Sequence, residues 1–553
     1  MELTPTTIAL TIGASLLYWG LLYGLLLPYA LRLLGRLIGN SIRSSTQQRR
    51  DLLLSRAASD AKQKAENSSE TGLSSRKASS STSLEEEWEK VSKTPPVPSP
   101  QHRKTQEANL SYEGVIGFFH PFCNAGGGGE RVLFAAVLAT QQRFPNALCL
   151  IYTGDHEATK EQILTNVRNR FNIHLNPARV AFLYLSTREW VLASKWPHFT
   201  LLGQSIGSLI LGWDAFNLLV PDIFIDTMGY AFVLALCKWL FPQIPTGAYV
   251  HYPTISTDML SSLHDEVEGR GLNAGLGKGA KGKAKQYYWK LFAKLYSGVG
   301  GTVDVVMTNS TWTQRHISSL WGSSRRKGRK VHEINVVYPP CAVEELQEKI
   351  SVDPQRTNKV LYIAQFRPEK MHHTIIDAFA SFLKHYTPPP NTPKPKLILV
   401  GSVRDDQDEK RVYKLRLQAQ EIRDNVEFMV NAKWPQILEL LRTCSVGVNG
   451  MWNEHFGIGV VEYQAAGLIS VVNDSGGPKQ DIVVPVDGEP TGFHASTPEE
   501  FSEGFSKALS MSSEDTLAMR HRARKSSLRF SEEVFSTAWT AQLDRLVDLG
   551  RGK

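Results

Sequence analysis

Charge is absent from the start of this 553-residue chain: no Asp, Glu, Lys or Arg lies between Leu3 and Leu31. Residues 8–27 alone suffice for a helix of roughly 30 Å, the depth of a bilayer's hydrocarbon core. A basic start and an A-x-A-like cleavage site are also missing, which argues against a secretory signal and leaves an uncleaved anchor over residues 1–31. Arg32, Arg36, Arg43, Arg49 and Arg50 follow it, so the positive-inside rule places the remainder in the cytosol. The sequons at Asn67, Asn109, Asn309 and Asn473 are therefore expected to stay unmodified. Cysteine is scarce. Cys123, Cys149, Cys237, Cys341 and Cys444 are scattered with no C-x-x-C pair, which argues against a disulfide framework and a zinc site. Two nucleotide motifs fail as well. Leu272 stands where a G-x-x-x-x-G-K loop needs glycine. Arg131 or Val132 stands where a G-x-G-x-x-G motif needs its last glycine, so NAD binding is not expected.

A net charge of +8 and a pI near 9.0 point to an anionic partner: nucleic acid, a phospholipid surface or a phosphorylated substrate. Basic residues gather in two segments. Residues 32–111, also rich in Ser and Pro, read as a disordered tether, and 268–285 (EGRGLNAGLGKGAKGKAK) reads as a flexible surface loop. Contact with anionic headgroups is the other reading of that loop. No nucleic-acid recognition module accompanies them.

From residue 114 strands and helices alternate. VIGFFH (115–120), ALCLIYTG (147–154), VAFLYL (180–185), DIFIDT (222–227), GAYVHYP (247–253) and VDVVMTNS (303–310) read as buried strands of a first unit. KVLYIAQF (359–366), KLILVGS (396–402), VEFMV (426–430), SVGVNG (445–450) and LISVVND (468–474) form a second. The fold class is α/β: two doubly wound, Rossmann-like domains over 112–345 and 346–530 whose strand ends face a cleft. Residues 531–553 form a last helix that crosses back. The apolar stretches 199–220 and 230–241 read as core helices, with a face against the membrane as the alternative.

Two stretches carry candidate chemistry. In NEHFGIGVVEYQAAG (453–467), Glu454 sits in a loop after a strand and Glu462 two turns further on. Between them Phe456, Gly457 and Ile458 open a helix whose free N–H groups favour phosphate. The acids would then grip two ends of one ligand, although a loop glutamate and a solvated helix glutamate also fit the residues. In HPFCNAGGGGERVL (120–133), Gly126, Gly127, Gly128, Gly129 and Glu130 precede a helix. Four glycines make an amide-rich anion site for a donor diphosphate, an acceptor diphosphate or both; a tight turn is the plainer reading.

The Glu454–Glu462 stretch resembles the signature of retaining glycosyltransferases of family four, which have the two-Rossmann-domain (GT-B) fold. The resemblance implies that 112–345 is the acceptor domain and 346–530 the nucleotide-sugar domain, and that Glu454 contacts the donor sugar and Glu462 the nucleotide ribose. It implies a basic clamp for the donor diphosphate in AQFRPEKMHH, where Lys370 fills the lysine position, Gln365 replaces the usual arginine and Arg367 lies two residues on. It also matches His251, in HYPTISTDM, to an active-site histidine beside the transferred sugar, a hydrogen-bond donor rather than a general base. With VYPPC (337–341) these motifs resemble, more narrowly, the GDP-mannose-dependent α-1,2-mannosyltransferases of dolichol-linked oligosaccharide synthesis. That implies GDP-mannose as donor, a dolichol-linked oligosaccharide as acceptor, addition of the fourth and fifth mannoses, other mannosyltransferases of the pathway as partners, and the cytosolic face of the endoplasmic reticulum. No residues are assigned to a metal, and metal-independent, same-face attack is expected. The rival readings are another transferase on this scaffold with a different donor or acceptor, and a non-catalytic membrane-anchored scaffold.

Overall fold

The computed structural model describes residues 15, 18–20, 22–75, 112–262, 279–327, 333–352, 355–387 and 393–551. One sheet contains β1 (Val115–Phe119), β2 (Leu148–Thr153), β3 (Val180–Tyr184), β4 (Ile223–Asp226), β5 (Thr246–Val250), β6 (Val305–Thr308) and β7 (Ile334–Val336) in the order β3-β2-β1-β4-β5-β6-β7. The other contains β8 (Thr357–Ile363), β9 (Lys396–Gly401), β10 (Val426–Val430), β11 (Cys444–Asn449), β12 (Ile469–Asn473) and β13 (Gly492–Ala495) in the order β10-β9-β8-β11-β12-β13. The pairings are parallel throughout both sheets. Every residue of β1, β2 and β11 is buried, as expected where helices cover both faces of a sheet. Each sheet reverses its winding between its first and fourth strands, β1/β4 and β8/β11, which opens a crevice for a ligand.

The helices used below are α1 (Leu27–Ser75), α2 (Gly128–Arg143), α3 (Thr200–Leu218), α4 (Ala231–Leu240), α5 (Thr257–Ser262), α6 (Gly279–Gly300), α7 (Thr311–Lys327), α8 (Ile458–Ala466) and α9 (Glu532–Arg551). The last returns to the first sheet. Trp539 stacks on Phe118 of β1 with centroids 6.2 Å apart, and its indole N–H donates to Thr140 Oγ1 at 3.2 Å. Arg143 pairs with Asp544 at 3.0 Å. Phe535, Leu543, Leu546 and Val547 are buried with Trp539, each worth roughly 1.5–3 kcal/mol of burial. The helix thus holds the two units together.

The N-terminal expectation needs correction. Residues 32–75 are helix, not tether, and 76–111 lie outside the described residues. The helix docks on the first unit through a stripe of Gly35, Gly39, Ile42 and Thr46, spaced by three or four, with Ala57 three turns further on the same face. A methyl group at Gly39 would overlap the Leu240 carbonyl, so the backbones touch. Arg50 pairs with Asp222 at 2.7 Å, and Trp239 Nε1 donates to the Leu31 carbonyl at 3.0 Å. Upstream, Tyr18–Asp60 is one helix long and apolar enough to cross a membrane by length and composition. Most of the expected anchor, residues 1–14 included, lies outside the described residues. Of the expected basic loop, 279–285 form the first turns of α6, and 268–278 lie outside the described residues. Helix α4 is core, with Val233, Leu234 and Cys237 fully buried. Helix α3 is core on one face only; it exposes Leu202, Ile206 and Trp213 on the other, next to an exposed Phe199.

Candidate active site

The loops that leave β1 and β11 meet at the two switch points. After β1 the chain turns at Gly126, whose φ of 78° lies in the left-handed region, and enters α2. After β11 it turns at Gly457, φ 107°, and enters α8. A Cβ at Gly128 would come within 2.7 Å of Ile458 Cδ1, so the two loops lie side by side there. Between them lies a cavity of about 580 Å³ lined from both units. Gly126, Gly128, Gly129, His251, Lys370, Glu454, Phe456, Gly457 and Ile458 all line it. Gly127, Glu130, Arg367 and Glu462 are not in its wall.

At its centre Lys370 Nζ lies 2.5 Å from Glu454 Oε2 and 3.0 Å from Met451 Sδ. Lys370 comes from the short turn after β8, fixed by the Tyr362 hydroxyl donating to its carbonyl at 2.5 Å. Burial works against ionisation of Glu454, but the Lys370 ammonium overcomes it, and the carboxyl sits below its ordinary range. A cation and an acid are therefore held together at the start of a phosphate-favouring helix.

Four expectations change. Arg367 is not part of the wall; its guanidinium is partly exposed, 3.9 Å from Glu369. Gln365, two residues earlier, lines the cavity instead. Strand alternation alone would put both on one side; the tight turn closed by the Arg367 N–H on the Gln365 carbonyl at 2.7 Å separates them. Glu130 folds back on its own loop: Oε2 accepts the Gly127 N–H at 2.6 Å, and Oε1 lies 3.8 Å from His120 Nε2. It is a one-way helix cap from the third residue of α2 back to the N-cap amide, since Gly127 has no side chain to return the bond, and the spacing is readable in the sequence. Burial opposes its charge, yet His120 and the Gly127 amide keep its carboxyl below the ordinary range. Glu462 is partly buried, one turn into α8 and outside the cavity wall. Burial pushes it up to about 7, with Arg131 of the first unit opposing. His251 Nε2 donates to the Thr227 carbonyl at 3.1 Å, so its other nitrogen is left as an acceptor, contrary to the donor expected. Burial lowers its pKa to about 4, so the ring is neutral.

The sequence reading missed one end of the cavity. Val400 and Gly401 at the end of β9 and Ser402 after it, with Asn431, Ala432 and Ile437 after β10, form a wall of apolar and polar groups. The only signal for them was their place at strand ends; no charge or motif marks them. An Asp-x-Asp spacing exists at Asp406 and Asp408, but neither lines the cavity, and Asp408 accepts the Arg404 N–H at 3.3 Å. Among the described residues no group of three or more His, Cys, Asp or Glu is placed to hold a metal.

Two doubly wound units around a cleft, with an acid and a lysine at its centre, define a glycosyltransferase. Residues 343–526 match the family described as "Glycosyl transferases group 1", and 113–321 match "ALG11 mannosyltransferase N-terminus". The chain is similar to solved structures in fold, including the OtsA apo structure (12% identity, 78% of this chain and 98% of that one, TM-score 0.57). An Anabaena Alr3699/HepE complex with UDP-glucose gives 16% identity over 78% and 100%, with a TM-score of 0.50. A Neurospora crassa protein named "GDP-Man:Man(3)GlcNAc(2)-PP-Dol alpha-1,2-mannosyltransferase" is 56% identical over 97% of this chain and 96% of its own. Proteins with that name from Homo sapiens and Mus musculus are 45% and 44% identical over 80% of this chain and 90% of theirs. This chain belongs to that family of α-1,2-mannosyltransferases.

Removing the central cation should therefore cost far more than removing the peripheral one. Lys370→Ala is expected to lower kcat/KM for nucleotide sugar by about 10²-fold or more, and Arg367→Ala by less than about fivefold; steady-state kinetics checks both. A second expectation concerns Glu462. Its raised pKa means that the folded state binds the proton more tightly, so stability falls as pH rises from the ordinary 4.5 towards about 7. Glu462→Gln should flatten that slope in urea unfolding at pH 5 and pH 7.5.

Proposed function

We propose that this protein transfers mannose from GDP-mannose to a dolichol-linked oligosaccharide, forming the α-1,2 linkages of the fourth and fifth mannoses. The observation that carries this reading is the Lys370–Glu454 pair on the cavity wall, between the switch points of the two units. The donor lies with its base against the end lined by Val400, Ala432 and Ile437. Its diphosphate meets Lys370 and the free N–H groups at the start of α8, and its mannose hydroxyls take up the Glu454 carboxylate. Bond cleavage moves negative charge onto the leaving diphosphate, where the ammonium and the amides stabilise it more in the transition state than in the ground state. The acceptor hydroxyl attacks the anomeric carbon from the same face as its bond to the diphosphate breaks, its proton passes to the leaving phosphate oxygen beside it, and the α configuration is kept. His251, neutral and already holding the Thr227 carbonyl, orients rather than removes a proton.

The reaction runs without a divalent metal, because cation and amides do its work. The relatives' name supports both the donor and the lipid acceptor. The apolar N-terminal helix supports membrane attachment, with the catalytic units on the cytosolic face of the endoplasmic reticulum beside other mannosyltransferases of the pathway.

Purified protein incubated with GDP-mannose and a defined diphosphodolichol pentasaccharide, Man3GlcNAc2, should yield products one and then two mannoses longer. Both added residues should be released by an α-1,2-mannosidase. Full activity should survive chelator, and Glu454→Ala should reduce turnover by about 10²-fold or more. UDP-sugars serving as donor, or strict dependence on manganese, would contradict the reading.

A further inference from the structure

The residues on either side of Glu454 are held by the other unit. Asn453 occupies the left-handed region at φ 52°, with its backbone N–H on Ser475 Oγ at 2.7 Å. Its side-chain Nδ2 crosses the cleft and donates to Asp258 Oδ2 of α5 at 2.7 Å. Asp258 is itself fixed: Nε2 of His316 on α7 lies 3.4 Å away, and Nδ1 of the same ring is 2.6 Å from Thr257 Oγ1. On the other flank the His455 ring packs over Tyr252 with centroids 4.1 Å apart and lies 5.3 Å from Trp312. Trp312 in turn packs 4.1 Å from His316. Tyr252, Asp258, Trp312 and His316 belong to the first unit, in the segment after β5 and in α7. None of them lines the cavity.

This arrangement matters for a transfer between two substrates. Glu454 belongs to the second unit by backbone, yet its neighbours on both sides are anchored to the first, the unit read above as the acceptor domain. The carboxylate is thereby indexed to the acceptor side of the cleft. Reaction needs the attacking oxygen within roughly 3–3.5 Å of the sugar carbon, and a displacement of about 1 Å can cost 10²-fold. We propose that Asp258 and Tyr252 are positioning residues that register Glu454 against the acceptor unit, so that the donor sugar is gripped in reactive geometry only when the two units are apposed. This rests on the transferase reading above.

The test uses the full-length protein. Asp258→Ala removes the acceptor of the Asn453 bond. Asn453→Gly removes its donor from the other unit while keeping a residue that tolerates the left-handed backbone. Each should lower kcat for mannosyl transfer by about 10-fold or more and leave the Kd for GDP, which has no sugar for Glu454 to hold, within about twofold. The double variant should be no worse than the more affected single one, because both remove the same contact. Asp258→Asn, whose amide oxygen can still accept from Asn453, should recover most of the loss. If Asp258→Ala does not fold, Asn453→Gly with its GDP affinity decides alone. Turnover within twofold of the unmodified protein, effects that multiply in the double variant, or loss of GDP binding in parallel with turnover would overturn the proposal. Absence of mannosyl transfer by the unmodified protein would instead defeat the functional reading. The latch is then read from whether the variants lose GDP-mannose affinity while keeping GDP affinity, and unchanged affinity for both overturns it.

Discussion

Lys370 and Glu454 hang from the ends of β8 and β11, neighbouring strands whose following helices pass to opposite faces of the sheet. That divergence is what leaves room for a ligand between them. A close pair of opposite charges inside a protein is rarely a net gain in stability, since removing two ions from water costs several kcal/mol each. Its place here is explained by what the cleft receives. A nucleotide sugar brings two negative phosphates and a ring of hydroxyls, and the pair offers each its complement. Much of the rest follows from keeping that pair addressed: Tyr362 ties down the lysine turn, Gly457 bends the glutamate loop into α8, and the first unit's glycine loop lies against Ile458 at the start of that helix.

The sheets were readable because parallel strands buried on both faces appear as short apolar runs between turn signals. The edge strands β7 and β13 escaped; only one of their seven residues is fully buried, so neither shows the apolar run of the four-residue inner strands β4 and β6. Glu454, Lys370 and the glycine loop were legible since charge and glycine at a strand end have few structural uses. Glu130 was legible in type and wrong in role: a carboxylate three residues into a helix serves the helix first. The cavity end at 400–402 and 431–432 was marked only by its place at strand ends, because apolar and amide groups there look like any core boundary. The Asp258–Asn453 bond joins residues 195 positions apart and was out of reach of local spacing.

The N-terminal helix shows a different failure. Its docking stripe is made of Gly35, Gly39, Thr46 and Ala57 with Ile42, small residues that do not register as hydrophobic periodicity. Close backbone approach replaces side-chain burial there. The result ties a helix long and apolar enough to cross a membrane to the first unit through Arg50–Asp222 and Trp239–Leu31. The exposed apolar side chains of α3 and the end of the N-terminal helix lie on this same unit.

A structure of the protein with GDP-mannose bound tests the central claim most directly. The account predicts the diphosphate within hydrogen-bond reach of Lys370 Nζ and the first amides of α8, the mannose hydroxyls on Glu454, and the lysine–glutamate contact opened to admit them. A donor seated with its diphosphate on Arg367, or bound while Lys370 and Glu454 remain in contact and touch neither phosphate nor sugar, would contradict it.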